Sequence, residues 1–267
     1  MNIQQQVRPD VLAAPSIFGR ILVGVDGTKG SFDACRQVTR LAEPEATLEA
    51  AIVSLFTPAT ATALGVPDLA EKLEHTADSA LSAAGRILGP DAELRRLQGL
   101  TVEALLDEAK RVQATLLAIG PPEHKRLEEI VFGGVGGELL HRAPCAILVA
   151  RPVPAAATFP REIVVGLDGS DEAEHAYEVA QNVATRRHST LRSVVALGGK
   201  HVDFDRIRDR HPEVEADSAE PVPALVDASA GADVLVVGSR GLHGPRALGS
   251  VSERVAHQAS CSVFVVR

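Results

Sequence analysis

The sequence predicts an α/β protein made of two copies of one doubly wound, five-stranded parallel-sheet domain. Three observations predict it. "RILVGVDGTKGS" at 20–31 and "EIVVGLDGSDEA" at 162–173 are one phrase written twice, and "HRAPCAILVARP" at 141–152 returns as "HQASCSVFVVR" at 257–267. Apolar runs of strand length alternate with helical patterns in both copies. The 267 residues also suit two domains better than one, since a single domain usually holds about 100–150.

Taken in order, residues 1–18 read as a mobile tail, because polar residues and two prolines break any periodicity. The first domain spans 19–151. Its strands are "RILVGV", "ATLEAAIVSLF", "AELRRLQ", "ATLLAIG" and "CAILVA", several of them unbroken apolar runs suited to burial on both faces of a parallel sheet. Leu69, Leu73, Ala77, Ala80, Leu81, Ala84 and Leu88 recur at spacings of three and four, so a helix buries that stripe and stops at Gly89-Pro90. A Pro- and Ala-rich linker follows over 152–159. The second domain, 160–267, repeats the plan with "EIVVGL", "TLRSVVAL", a weak "EVEAD", "DVLVVG" and "CSVFVVR", but is shorter between its second and third strands. The mixed charges of "HVDFDRIRDRHPEVE" suit an exposed helix face.

Composition narrows the function. A net charge of -8 argues against a nucleic-acid footprint, which needs surplus cations to neutralise phosphates. Apolar runs stay well below the ~20 residues of a membrane helix, so no membrane span is expected. The three cysteines form no CxxC pair and the N-terminus has no secretory pattern, which predicts a cytoplasmic protein. Cys35, Cys145 and Cys261 fall on an apolar helix face or at the start of closing strands and read as core. The nine histidines have no metal-ligand spacing.

In a doubly wound sheet the ligand sits beyond the carboxyl ends of the strands, where the strand order reverses. In the second copy that crevice lies between the end of "EIVVGL", with Gly166 and Asp168, and the loop "GSRGLHGPRALGSVSE" from Gly238. Gly238 and Gly241 let backbone amides turn toward an anion, and Gly249-Ser250 opens a helix whose N-terminus carries free N–H groups. Ser250, Val251 and Ser252 complete this phosphate cradle, with Arg240 as its cation. Two structural readings stand beside it. Ser250 and Glu253 also form a capping box, and Asp26 and Asp168 also suit Asx turns in "DGT" and "DGS".

A strand ending in Asp, a Gly-x-x-Gly loop, a spacer, Gly-Ser and a closing strand together resemble the universal stress protein family, here as a tandem pair covering nearly the whole chain. The resemblance implies binding of ATP, with Mg, in a stress-response regulator. It implies Asp168 beside the adenosine and the backbone of Ala196 against adenine. Seven residues, where ATP-binding members have nine, separate Gly241 from Gly249. The first copy departs further: Gly120 is kept, Glu123 replaces the second glycine, and Gly133-Gly134 replaces Gly-Ser. Pro121 and Pro122 remove two backbone donors. A carboxylate about 4 Å from a phosphate costs about 4 kcal/mol at an effective dielectric near 20, about a thousandfold in affinity. The first copy, with Asp26 and Val53 at the positions matching Asp168 and Ala196, is therefore expected to bind ATP poorly.

Two alternatives to an ATP-binding regulator are a slow ATP hydrolase and a nucleotide-independent interaction module. The apolar closing strands "CAILVA" and "CSVFVV" are expected to pair edge to edge within the chain. The further partners expected are an adenine nucleotide, a second copy of the chain in a homodimer, and a regulatory protein.

Overall fold

The structure, a computed structural model, describes residues 17–55, 63, 65, 67–121, 134–153, 158–199, 202–239 and 249–267. The first half runs β1 (Arg20–Gly24), α1 (Lys29–Leu41), β2 (Thr47–Ser54), α2 (Pro67–Leu88), β3 (Glu93–Gln98), α3 (Thr101–Arg111), β4 (Leu116–Ile119), α4 (Val135–Arg142) and β5 (Ala146–Val149). The second runs β6 (Glu162–Leu167), α5 (Asp171–Arg187), β7 (Thr190–Ala196), α6 (Phe204–Arg210), β8 (Glu215–Asp217), α7 (Pro221–Ala228), β9 (Val234–Gly238), α8 (Ser250–Gln258) and β10 (Ser262–Val266).

The ten strands of the described residues join in one sheet, in the order β3-β2-β1-β4-β5-β10-β9-β6-β7-β8. Every neighbouring pair is parallel except the central one, where β5 and β10 run antiparallel with Leu148 opposite Phe264. Each half is thus doubly wound, reversing order between its first and fourth strands, and the two closing strands bury each other's edge. The outer edges are protected differently. β3 ("ELRRLQ") and β8 ("EAD") are mostly exposed and rich in charge, which discourages further strand addition.

The two faces of the sheet carry two apolar cores that continue across the central pair. One joins Val23, Cys35 and Leu148 to Phe264 and Val165, and the other joins Leu117, Leu140 and Ile147 to Leu235 and Val263. Burial of Cys35, Cys145 and Cys261 pushes the Cys35 thiol up to about 12 and that of Cys145 to about 11, and raises that of Cys261.

The central seam is also polar. Buried Gln37 donates from Nε2 to the Arg151 carbonyl at 2.6 Å, and its Oε1 accepts from Ser262 Oγ at 2.9 Å. The Arg151 guanidinium reaches the carbonyls of Cys261 (3.0 Å) and Ala256 (2.6 Å), the latter in the last turn of α8. Arg267 reaches the Leu140 carbonyl in the last turn of α4. A cation at a helix C-terminus complements the partial negative charge there.

Three details differ from the expectations. Phe18, placed in the tail at 1–18, is buried and its ring lies 5.6 Å from that of Phe264. Phe159, placed in the linker at 152–159, is fully buried in the core. Both are large apolar groups at the junction of the halves, and the gain from burying them outweighs the turn-like composition around them. Leu73, assigned to the buried stripe of α2, is 44% exposed, because it borders a crevice rather than the core.

Candidate functional site

In the second half the described site residues converge at the carboxyl edge of the sheet. β6 lies between β7 and β9, so Gly166 and Asp168 stand between Ala196 on one side and Gly238 on the other. Asp168 Oδ1 accepts from the Ser170 amide (3.0 Å) and from Ser170 Oγ (2.6 Å), while Ser170 Oγ accepts from the Ala173 amide and caps α5. Asp26 and Thr28 build the same turn at the start of α1. The Asx-turn reading therefore describes both aspartates, each with one carboxylate oxygen outside these bonds.

Gly238 has a packing reason of its own. A Cβ there would lie 2.5 Å from the Glu172 carbonyl oxygen, and one on Gly120 would lie 2.4 Å from the Gly30 carbonyl carbon. The fourth strand of each half ends directly against the first turn of the half's first helix, and only glycine fits. Packing is thus sufficient to require Gly120 in the first half. At Gly166 a Cβ would meet the Leu225 side chain at 2.9 Å, so α7 accounts for that glycine. Ala196 is buried at the end of β7.

The start of α8 departs from the capping-box expectation. Gly249 is the N-cap, with φ −71° and ψ 148°, and Ser250 is the first helical residue. Ser252 Oγ donates instead to the Gly238 carbonyl at 2.7 Å. That bond uses the hydroxyl proton assigned to a phosphate, but it fixes the first turn of α8 against the end of β9. The amides of Ser250, Val251 and Ser252, like the first amides of any helix, have no intrahelical partner, and Gly249 has no side chain to cap them. Val251 is half-buried and Ser250 exposed. Arg240 and Gly241 lie outside the described residues, as do Pro122, Glu123 and Gly133 of the first copy.

The first half holds a cavity of about 740 Å³ at the matching switch point. Ala51, Ile52, Val53, Leu105 and Ile119 form its floor, and Leu55, Leu73 and Val135 stand at its mouth. Asp26, at the end of β1, and Glu74, on α2, are among its lining residues. Pro121 packs into the space beside Gly30. The broken phosphate signature of the first copy gives no hint of this crevice. The signal for it is the length of α2: its 22 residues wall the crevice, where α6 has seven.

A buried carboxylate pair lies away from both crevices, between β2 and α3. Glu49 on β2 and Glu108 on α3 are both buried beside Arg111, whose guanidinium is 2.9 Å from Glu49 and 2.7 Å from Glu108. Burial, a hydrogen bond with Glu108 and that neighbour's charge push Glu49 up to about 7. The Arg111 hydrogen bond holds Glu108 down at about 2.

Comparison with known proteins adds three findings. The model of the universal stress protein family matches residues 18–151 and 199–267. A universal stress protein of Mycolicibacterium smegmatis is 29% identical over 92% of this chain and 96% of its own, and one of Mycobacterium tuberculosis is 28% identical over the same shares. A crystal structure of a universal stress protein from Archaeoglobus fulgidus superposes with a TM-score of 0.72 over 94% of this chain and 98% of its own, at 19% identity, which is a likeness of fold.

Proposed function

Because the chain belongs to the universal stress protein family, we propose that it is an ATP-binding stress-response regulator holding one nucleotide in the crevice of its second half. The observation that carries this reading is the Ser252–Gly238 bond. It holds an uncapped helix N-terminus beside the carboxyl ends of β9 and β6, where open α/β sheets take their ligands. In this reading the phosphates rest on the amides of Ser250, Val251 and Ser252, with Gly241 and Arg240 closing over them. Asp168 and the Ala196 backbone flank the adenosine, and Gly166 lets α7 pack beneath. Mg²⁺ arrives with the triphosphate, which supplies most of its oxygen ligands.

Occupancy then changes the surface around α8 rather than driving turnover, and a regulatory protein or a second chain reads that change. The unit boundaries proposed are 19–151 and 160–267, and the compartment proposed is the cytoplasm. Among the described residues no helix is long and apolar enough to cross a membrane.

The test is calorimetric titration of nucleotide-stripped protein with MgATP, beside Gly241→Glu, which imitates the first copy. One site per chain, lost in the variant, is the expected result. Two sites would overturn the assignment to the second half, and none would leave an interaction module.

A further inference from the structure

The first turn of α8 carries an acid that competes with any anion bound there. The amide of Glu253 bonds the Gly249 carbonyl at 3.0 Å, so the amides of Ser250, Val251 and Ser252 lie just ahead of it at the helix start. Side chains of a helix lean toward its N-terminus, and an ionised carboxylate in the first turn is drawn to the partial positive charge there. Left to itself, Glu253 would cover the amides that phosphates need.

The first half holds this carboxylate elsewhere. His141, in the last turn of α4, places Nε2 3.1 Å from Glu253 Oε1. The contact follows from the topology: each of these helices precedes a closing strand, and the closing strands run antiparallel, so the end of α4 faces the start of α8. His141 Nδ1 is buried with no hydrogen-bond partner among the described residues, which leaves Nε2 as the polar anchor of the ring. Nearby cations are committed to other acceptors: Arg142 to Glu103 and Glu138, Arg254 to the Ser250 carbonyl, and Arg267 to the Leu140 carbonyl. The repeat does not duplicate the pair. His257 corresponds to His141, but Gly137 stands at the position of Glu253.

We propose that His141 is a positioning residue of the second-half phosphate site, supplied by the first half. By engaging Glu253 it keeps that carboxylate off the amides of Ser250, Val251 and Ser252. This rests on the reading of the second half as the nucleotide site, and it gives the half with the broken phosphate signature a part in the function of the other.

The test compares the full chain with His141→Ala, His141→Gln and the double variant His141→Ala/Glu253→Gln, by calorimetry with MgATP and by NMR exchange of the Ser250–Ser252 amides without nucleotide. His141→Ala should weaken MgATP binding about fivefold and slow the exchange of those amides, as Glu253 turns onto them. His141→Gln, whose side-chain amide can still donate to Glu253, should match the parent. The double variant should recover both readouts, which a merely structural loss at His141 would not allow. A double variant as weak as His141→Ala, or parental exchange rates in His141→Ala, would overturn the proposal. If the parent binds no MgATP, the nucleotide reading falls by itself and the amide exchange decides the role of His141.

Discussion

Arg151 and Arg267 perform the same task for opposite halves of the molecule. Arg151 leaves β5 and reaches the last turn of α8, whereas Arg267 leaves β10 and reaches the last turn of α4. Each closing strand thus ends in an arginine that holds the final helix of the other half. The two share a place in the repeat, at the ends of "CAILVAR" and "CSVFVVR". The exchange ties the seam to the helix whose other end forms the proposed phosphate cradle.

Arg151→Met should destabilise the chain by roughly 3 kcal/mol, because the carbonyls of Ala256 and Cys261 lose their donor in a buried place. Urea denaturation measures this. A change below about 0.5 kcal/mol would mean that water satisfies those carbonyls equally well.

Gly238→Ala should cost about 1–3 kcal/mol, since the new Cβ would press on Glu172 backbone that cannot rotate away. Gly120→Ala should cost a similar amount although its half is not expected to hold ATP. Equal losses in urea midpoint, with MgATP affinity reduced by the first change alone, would separate packing from ligand binding.

Ser252→Ala removes the bond to the Gly238 carbonyl and should cost about 1 kcal/mol. MgATP affinity should fall with it, as the start of α8 is no longer held against β9. Calorimetry on the variant checks both; unchanged affinity would detach the bond from the site.

Stability should depend on pH through Glu49. Its folded pKa of about 7 lies above the ~4.3 of an unfolded glutamate, so its contribution is complete below ~4.3 and is lost as pH rises through 7. Glu108, held at about 2, has the opposite sign: its contribution is present above ~4.3 and is lost as pH falls through 2. Melting temperature should therefore decline between pH 5 and 8, and Glu49→Gln should flatten that decline while leaving the acid limb. A parallel decline in parent and variant would show that other groups set it.

Much of this was legible in the residues. "EIVVGL" reads as a buried parallel strand and forms β6 over the same six residues, because an unbroken apolar run suits two covered faces. Ala77, Ala80, Ala84 and Leu88 form the buried stripe of α2 as their spacing requires. Other features depend on tertiary distance. Ser250 looks like a helix cap until Ser252 finds the Gly238 carbonyl and moves the helix start to Gly249. Nothing local in "ATLEAAIVSLF" marks Glu49, which α3 covers with Glu108 and Arg111. The large cavity has no local signature, since α2, β2 and α3 must assemble before there is a space between them.

The antiparallel pairing of β5 with β10 has a further consequence because one chain supplies both strands. In a symmetric dimer of identical subunits, every substitution falls in both crevices at once. Covalent fusion removes that constraint. A change that spoils one pocket for its original occupant leaves the other untouched, and the bound partner never dilutes away. Glu123 and Gly241 stand at corresponding positions of the two copies, a difference that an assembly of identical subunits could not contain.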